Sequence, residues 1–288
     1  MKIFIDGKLY SERDAKISVF DHGFLYGDGV FEGIRAYHGR VFKLKEHIDR
    51  LFYSAKAILL EIPMSPEKIS QAVVEACRAN KIRDGYIRLV VTRGMGTLGL
   101  NPRSCKNPSV IIIADKIQVY PQELYSRGME IVTVPTVRNL HSAVNPAIKS
   151  LNYLNNILAK IEANNAGVEE AVMLNAEGFV SECTADNLFI VKNGELFTPP
   201  LSAGALYGIT RQTVIELARQ GGVKVSEPNL TRYDLFCADE CFLCGTGAEI
   251  MPVIKIDNRV IGTGKPGILT RRLVSEYHTL TETSGEPI

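Results

Sequence analysis

The stretch Asn145-Pro146-Ala147-Ile148-Lys149-Ser150-Leu151-Asn152-Tyr153 sets one lysine at the start of an apolar stripe, Leu151, Leu154, Ile157, Leu158 and Ile161, at helical spacing. The stripe predicts an amphipathic helix with Lys149 at its mouth. There the macrodipole opposes a cation and favours the neutral amine, the form that Schiff-base chemistry needs. Tyr153, four residues on, is expected over the same helix face, where its phenol can contact whatever the amine binds. The alternative is a plain surface lysine. Asparagines at 145, 152, 155 and 156 argue against it, because ordinary helices avoid them.

Two other features point to the same chemistry. In Leu206-Tyr207-Gly208-Ile209-Thr210-Arg211 a glycine and a threonine open a helix over Thr210 to Gln220, stopped by Gly221-Gly222. Open N–H groups with a hydroxyl at a helix start make a phosphate cradle, and a plain N-cap is the bland reading. Gly245-Thr246-Gly247 adds a second anion-binding turn, reached from a buried strand. In Tyr86-Ile87-Arg88 strand alternation puts the phenol and the guanidinium on one face, suited to a carboxylate, or else to a surface ion pair.

Bulk properties exclude several classes. Of 288 residues 45% are apolar and 23% charged, the balance of a globular protein with a large core. Thirty-three basic and 32 acidic residues leave a net charge of +1, which recommends neither nucleic acid nor an anionic membrane as partner. The longest apolar runs, such as Val110 to Ala114, fall short of a membrane span. The opening MKIFIDGK reads as strand and turn rather than signal peptide, so a cytoplasmic protein is expected. Six cysteines, at 77, 105, 183, 237, 241 and 244, read as reduced thiols. Cys241 and Cys244 fall on opposite faces of a strand and cannot bond to each other. Gly94 to Gly99 and Gly262 to Gly267 match the dinucleotide fingerprint only formally, because no helix follows the first and no βαβ unit fits behind the second. The five histidines show no metal-ligand spacing, and no Gly-x-Ser-x-Gly elbow occurs.

Strand and helix patterns alternate over residues 1–116: strands at Met1 to Ile5, Val30 to Tyr37, Tyr86 to Arg93 and Val110 to Ala114, with helices from Leu44 to Leu59 and from Ser65-Pro66 onward. Periodicity fades around Tyr120-Pro121, which places a linker at 117–128. Residues 129–288 form a second domain rich in hairpins, with Asn193-Gly194 as the strongest turn signal. A last helix is expected over Ile268 to Tyr277, with a loose tail after it.

A reactive lysine, a phosphate cradle and a carboxylate clamp together suggest pyridoxal 5′-phosphate. The motifs FDHGFLYGDGVFEGIRAY (20–37), EHIDRL (46–51), YIR (86–88), KSLNYLNN (149–156), ECTADNLF (182–189), GITR (208–211) and GTGAEI (245–250) resemble the class IV aminotransferases. The resemblance covers the chain to about Tyr277 and is strongest to the branched-chain amino acid aminotransferases. It implies a two-domain α/β (α+β) enzyme of PLP fold type IV, with a smaller N-terminal α/β domain and a larger hairpin-rich cofactor domain.

The implied activity is transamination between leucine, isoleucine or valine and 2-oxoglutarate. D-amino acid aminotransferase and aminodeoxychorismate lyase activities are the alternatives on the same fold. By resemblance, Lys149 holds the cofactor and shuttles the proton, Glu182 pairs with the ring nitrogen and Tyr153 contacts the phenolate oxygen. Arg50, Leu206, Gly208, Ile209, Thr210 and Thr246 belong to the cofactor and phosphate site. Tyr86 and the Thr246–Gly247 backbone take the α-carboxylate, Arg88 and a neighbouring subunit's Tyr26 meet the glutamate arm, and Phe31 lines the alkyl pocket. A homodimer or larger homo-oligomer, with the active site near the interface, is implied too. Cys183 and Gly247 stand where relatives commonly carry glycine and alanine, and neither change removes a polar group.

Overall fold

The computed structural model describes residues 1–117 and 119–288; Gln118, inside the expected linker, lies outside the described residues. Two compact units emerge: Met1–Ile117 with Ile148–Asn152 and Thr281–Ile288, and Gln118–Ala147 with Tyr153–Leu280. Two segments of the expected 129–288 domain therefore group with the first unit, for a backbone reason given below.

The first unit is an antiparallel sheet with helices on one face. Its elements are β1 (Lys2–Ile5), β2 (Lys8–Ser11), α1 (His22–Tyr26), β3 (Gly29–Tyr37), β4 (Arg40–Val41), α2 (Leu44–Ala57), α3 (Pro66–Ala79), β5 (Gly85–Thr92) and β6 (Ser109–Asp115). The strand order is Glu286–Pro287, β4, β3, β5, β6, β1, β2. Alternation in β5 buries Ile87, Leu89 and Val91 in the core, with Leu51 of α2 and Ile69, Val73 and Cys77 of α3. Ser65 caps α3, its hydroxyl accepting from the Lys68 N–H, and Pro66 opens the first turn.

Residues Ile148–Asn152 run along the start of β3. The Phe31 N–H donates to Lys149 O at 3.0 Å, and the Leu151 N–H to Gly29 O at 2.9 Å. The C-terminal segment is not the loose tail expected from its sequence: Glu286 and Pro287 pair with Val41 and Arg40, and the Ile288 N–H reaches Gly39 O at 2.9 Å. Both segments satisfy backbone groups of exposed strand edges, which is why they count with this sheet.

The second unit contains α4 (Gln122–Arg127), β7 (Met129–Thr133), α5 (Leu154–Asn165), β8 (Glu170–Leu174), β9 (Val180–Cys183), β10 (Asn187–Lys192), β11 (Glu195–Phe197), α6 (Ile209–Gln220), β12 (Val225–Ser226), α7 (Arg232–Phe236), β13 (Glu240–Gly245), β14 (Glu249–Ile256) and β15 (Arg259–Val260). The helix α8 (Ile268–Thr283) follows, and it runs past Tyr277, where its apolar pattern had suggested an end. The sheet is mixed, ordered β12-β11-β10-β13-β14-β7-β8-β9 with β15 on β14. Asn193 and Gly194 take positive φ, 52° and 76°, and turn β10 into β11. The expected linker is partly built into this unit, because Tyr120 and Leu124 pack in its core.

The apolar stripe of α5 is not its buried face. Leu154, Ile157, Leu158 and Ile161 are exposed, whereas Asn156, Ala159 and Ala163 face inward. Among the described residues no helix is long and apolar enough to cross a membrane.

Candidate active site

Strand β3 carries two kinds of chemistry on its two faces. Val30, Glu32, Ile34 and Ala36 point toward α2, and Phe31, Gly33 and Arg35 point the other way. On the α2 side Glu32 is fully buried. Arg50 Nε donates to its Oε1 at 2.7 Å and Arg50 Nη2 to its Oε2 at 2.6 Å, while His47 Nδ1 lies 2.7 Å from Oε2. His47, Arg50 and Ser54 form a buried polar stripe along α2, beside the apolar stripe Leu44, Ile48, Leu51 and Ala55. The Ser54 hydroxyl accepts from the Lys149 N–H at 3.1 Å, so this stripe also fixes the backbone of the lysine.

Burial opposes the charge on Glu32, yet the Arg50 guanidinium and the His47 hydrogen bond outweigh it and hold its carboxyl at about 2. His47 is pushed down, by burial first, which favours a neutral ring. Because the folded carboxyl titrates below its ordinary value of 4.5, its stabilisation is full above 4.5 and is lost as pH falls toward 2. Glu32→Gln removes the carboxylate that takes two hydrogen bonds from the buried Arg50 and should cost about 3–5 kcal/mol. Unfolding at neutral pH should show that loss. The gap to wild type should narrow below pH 4, and an unchanged gap would mean that the pair contributes no net charge stabilisation.

On the other face of β3 the aromatic and cationic groups gather. The Arg88 guanidinium stands 4.6 Å from the Phe31 ring centre and 5.4 Å from that of Tyr86. Lys149 Nζ lies 4.6 Å from the same Phe31 ring. The pairing Gly33↔Arg88 brings Tyr86 over β3, and its hydroxyl occupies the space a Cβ on residue 33 would need, 2.0 Å away. Any side chain there would displace the Tyr86 ring. Arg88 has no carboxylate partner among the described residues. Tyr26 ends α1, and its hydroxyl accepts from the Gly99 N–H at 2.9 Å.

Lys149 is not at a helix mouth. It lies in the extended segment on β3, well before α5 begins at Leu154, so the macrodipole argument does not apply and Tyr153 does not share a helical face with it. Tyr153 is the N-cap residue of α5. The asparagines are structural ties: Asn152 Nδ2 donates to Gly27 O at 2.8 Å, Asn155 Nδ2 to Val137 O at 2.9 Å, and Asn145 Oδ1 accepts from the Ala147 N–H at 2.9 Å.

The second unit holds a buried carboxylate and an open helix start. Glu182, on β9, accepts from Arg138 Nη2 at 2.7 Å through Oε1, and from the Leu206 N–H at 2.8 Å and Asn187 Nδ2 at 3.2 Å through Oε2. Arg138 is held in turn by Asn156 Oδ1 at 3.1 Å. Every one of these neighbours donates, which fixes Glu182 as an anion and aims it. Leu206 thus spends its N–H on Glu182. Helix α6 starts after Gly208 with no side-chain cap, and among the described residues the N–H groups of Ile209, Thr210 and Arg211 have no acceptor. Asn187 Oδ1 sits 2.0 Å from where a Cβ on residue 208 would stand, so a larger residue there would displace the Asn187 amide that also donates to Glu182. Thr246 and Gly247 lie in the turn between β13 and β14. Cys241 and Cys244 are buried, free thiols.

An unsatisfied helix start, a threonine beside it and an oriented buried carboxylate fit a phosphate ester joined to a protonated ring base. The family model for class IV aminotransferases matches residues 29–256. A protein of Methanocaldococcus jannaschii is 54% identical over 277 residues, 96% of this chain and 95% of its own length. The crystal structure of the Escherichia coli branched-chain amino acid aminotransferase superposes with a TM-score of 0.96 at 36% identity, covering 98% of this chain and 96% of that one. The branched-chain aminotransferase of the thermophilic archaeon Thermoproteus uzoniensis, solved with norvaline, gives a TM-score of 0.92 at 41% identity, over 98% and 95%. The chain belongs to the class IV aminotransferases, in their branched-chain amino acid branch. Members of the class use pyridoxal 5′-phosphate, and the expected fold type is the observed one.

Residues with no motif of their own in the sequence complete these clusters. Glu32 and His47 lay inside matched stretches without an assigned role. Their one available signal was polarity at positions that β3 alternation and α2 periodicity both bury. Arg138 lies in an irregular segment and gave no periodic signal.

Proposed function

We propose that this chain transfers amino groups between L-leucine, L-isoleucine or L-valine and 2-oxoglutarate, using pyridoxal 5′-phosphate, as a homodimer or larger homo-oligomer in the cytoplasm. The observation that carries the substrate reading is Arg88, a guanidinium stacked on Phe31 and Tyr86 without a carboxylate partner among the described residues. Aromatic faces suit a branched alkyl group. The guanidinium suits the side-chain carboxylate of glutamate, so one surface serves both amino donors. The exposed apolar face of α5 is consistent with self-association, and free cysteines with a reducing compartment.

When bound, the cofactor supplies an electrophilic carbon and an electron-accepting ring. Lys149 would supply the amine that anchors it, and the same Nζ would carry the proton from substrate Cα to the cofactor's electrophilic carbon. Glu182, held as an anion by Arg138, Asn187 and Leu206, keeps a proton on the ring nitrogen. The N–H groups of Ile209 and Thr210, with the Thr210 and Thr246 hydroxyls, hold phosphate oxygens. Arg50, oriented by Glu32, adds positive charge there. Tyr153 hydrogen-bonds the phenolate oxygen, while Tyr86 and the Thr246–Gly247 backbone take the α-carboxylate. Tyr26 of a neighbouring copy completes the pocket near Arg88.

Replacing Arg88 by Leu tests the reading. Losing a charge-assisted bond of about 1.5–3 kcal/mol predicts an about 10- to 150-fold fall for L-glutamate and 2-oxoglutarate, with leucine and its oxo acid much less affected. Paired half-reactions on wild type and variant measure it. Equal losses for both substrates would assign Arg88 to the shared α-carboxylate. A wild type that turns over D-alanine but not L-leucine would replace the proposal with the D-amino acid activity.

A further inference from the structure

Behind Glu182 the second unit buries three groups that the reaction does not use directly. The Tyr120 hydroxyl lies 2.9 Å from Asp186 Oδ2 and 3.3 Å from Glu170 Oε2. Glu170 and Asp186 are both buried, and neither forms an ion pair among the described residues. A phenol has one proton and can donate to one carboxylate only. With both acids ionised, the other would face the phenol oxygen with no proton between them. Glu170 Oε1 already accepts from the Ala171 N–H at 2.7 Å and the Thr184 N–H at 2.9 Å. The Asp186 carboxyl accepts from no backbone N–H among the described residues. Two buried carboxylates that share one phenol proton cannot both hold a charge at low cost, and Asp186 is the one without backbone donors.

Asp186 also touches the anion-binding turn. Its Oδ1 fills the space beside Gly245, 2.0 Å from where a Cβ on that residue would stand. Gly245 leads directly into Thr246 and Gly247. We propose that Asp186 is a positioning residue kept uncharged by its burial beside the Glu170 carboxylate, so that the Gly245–Thr246–Gly247 turn can accept an anion. An ionised carboxylate against this backbone would repel the same phosphate or carboxylate that the turn's donors attract. The inference rests on the reading of the turn given under the proposed function.

The surroundings favour the neutral acid. Glu170 from β8, Glu182 and Cys183 from β9, Tyr120 from the segment before α4 and Cys244 from β13 all face Asp186, and Lys160 of α5 is the cation that acts on it. The charge of Arg138 is already engaged by Glu182. Burial, followed by the Glu170 charge, pushes Asp186 up to about 7. By linkage, anion affinity should fall as pH rises through that value, and a bound anion should make Asp186 harder to ionise.

The test measures binding to the full chain from pH 6 to pH 9, for wild type, Asp186→Asn and Thr246→Val. Pyridoxamine 5′-phosphate probes the phosphate, and 4-methylvalerate, added to cofactor-loaded protein, probes the carboxylate. Asp186→Asn should match wild type at pH 6 and bind at least one of the anions about tenfold more tightly at pH 9. The probe that shows the gap identifies the anion. Titrations of the ligands themselves are common to both proteins and cancel. If Thr246→Val binds both probes like wild type, the turn is not an anion site. If that variant loses affinity while Asp186→Asn keeps the wild-type pH profile, the assignment of Asp186 fails.

Thermal unfolding gives a second readout. Folded Asp186 keeps its proton between its ordinary carboxylate range and about 7, while the unfolded chain releases it, so wild-type stability should drop across that window. The variant should lack this drop and gain on wild type toward neutral pH. A merely structural aspartate would leave it less stable at every pH. Should the variant fail to fold, wild-type infrared spectra decide. A protonated-carboxyl band that disappears between pH 6 and pH 9 supports the proposal, and its absence at pH 6 overturns it.

Discussion

Lys149→Ala should reduce steady-state transamination by more than about 10⁴-fold. The change removes both the amine that anchors the cofactor and the group that moves the proton, and proton transfer alone contributes about 10²–10⁴-fold. The structure adds a control, because backbone bonds hold this segment in place. The Lys149 backbone is fixed by its bonds to Phe31 and Ser54, both of which survive truncation. The fold of the first unit should therefore be intact, and the phosphate donors of α6 should still bind the cofactor. Absorbance and dialysis on the purified variant would check retention, and steady-state assays the activity. Turnover within tenfold of wild type would remove Lys149 from the reaction. Loss of activity together with unfolding would leave the chemical assignment to a Lys149→Arg variant, which keeps the charge and bulk without a neutral amine.

The sequence was most informative where one period decided the matter. Alternation in β5 separated Tyr86 and Arg88 from Ile87 and Leu89, and the Ser65-Pro66 start of α3 and the Asn193-Gly194 turn were local enough to read directly. It misled at α5, where periodicity showed that an apolar stripe existed but not which way it faced. The buried side of that helix is Asn156, Ala159 and Ala163, small or polar residues that no hydrophobic pattern marks. The lysine was found for a partly wrong reason. Its setting comes from pairing with Gly29 and Phe31 on β3, far back in the chain, and pairing at that range leaves no local signature. Buried polar partners such as Arg138 and Asp186 were illegible for the same reason: each is explained only by a neighbour distant in sequence. Glu32 and Arg50 could have been paired from their shared burial, had the facing of α2 against β3 been known.

Glu182→Gln should slow the half-reaction with L-leucine by about 10²–10³-fold, the usual effect of removing one preorganised electrostatic contact. A neutral amide no longer favours a proton on the ring nitrogen, so the electron pair left when the Cα–H bond breaks is less stabilised. The surroundings of Glu182 sharpen the expectation. Arg138, Asn187 and Leu206 all donate to its two oxygens, so an amide NH2 on either side sets donor against donor. That mismatch should cost about 1–3 kcal/mol of stability, and Arg138 loses its counter-charge as well. Two consequences must therefore be separated: a slower chemical step and a looser second unit. Arg138→Met keeps the Glu182 charge but removes the cation that holds it, so it should loosen the unit with a smaller loss of rate per unit of stability lost. Half-reaction rates, cofactor retention and unfolding midpoints on the two variants distinguish the cases. If both fall on one line of rate against stability, Glu182 acts only by holding the fold. If Glu182→Gln lies well below that line with its cofactor retained, its charge acts on the ring nitrogen.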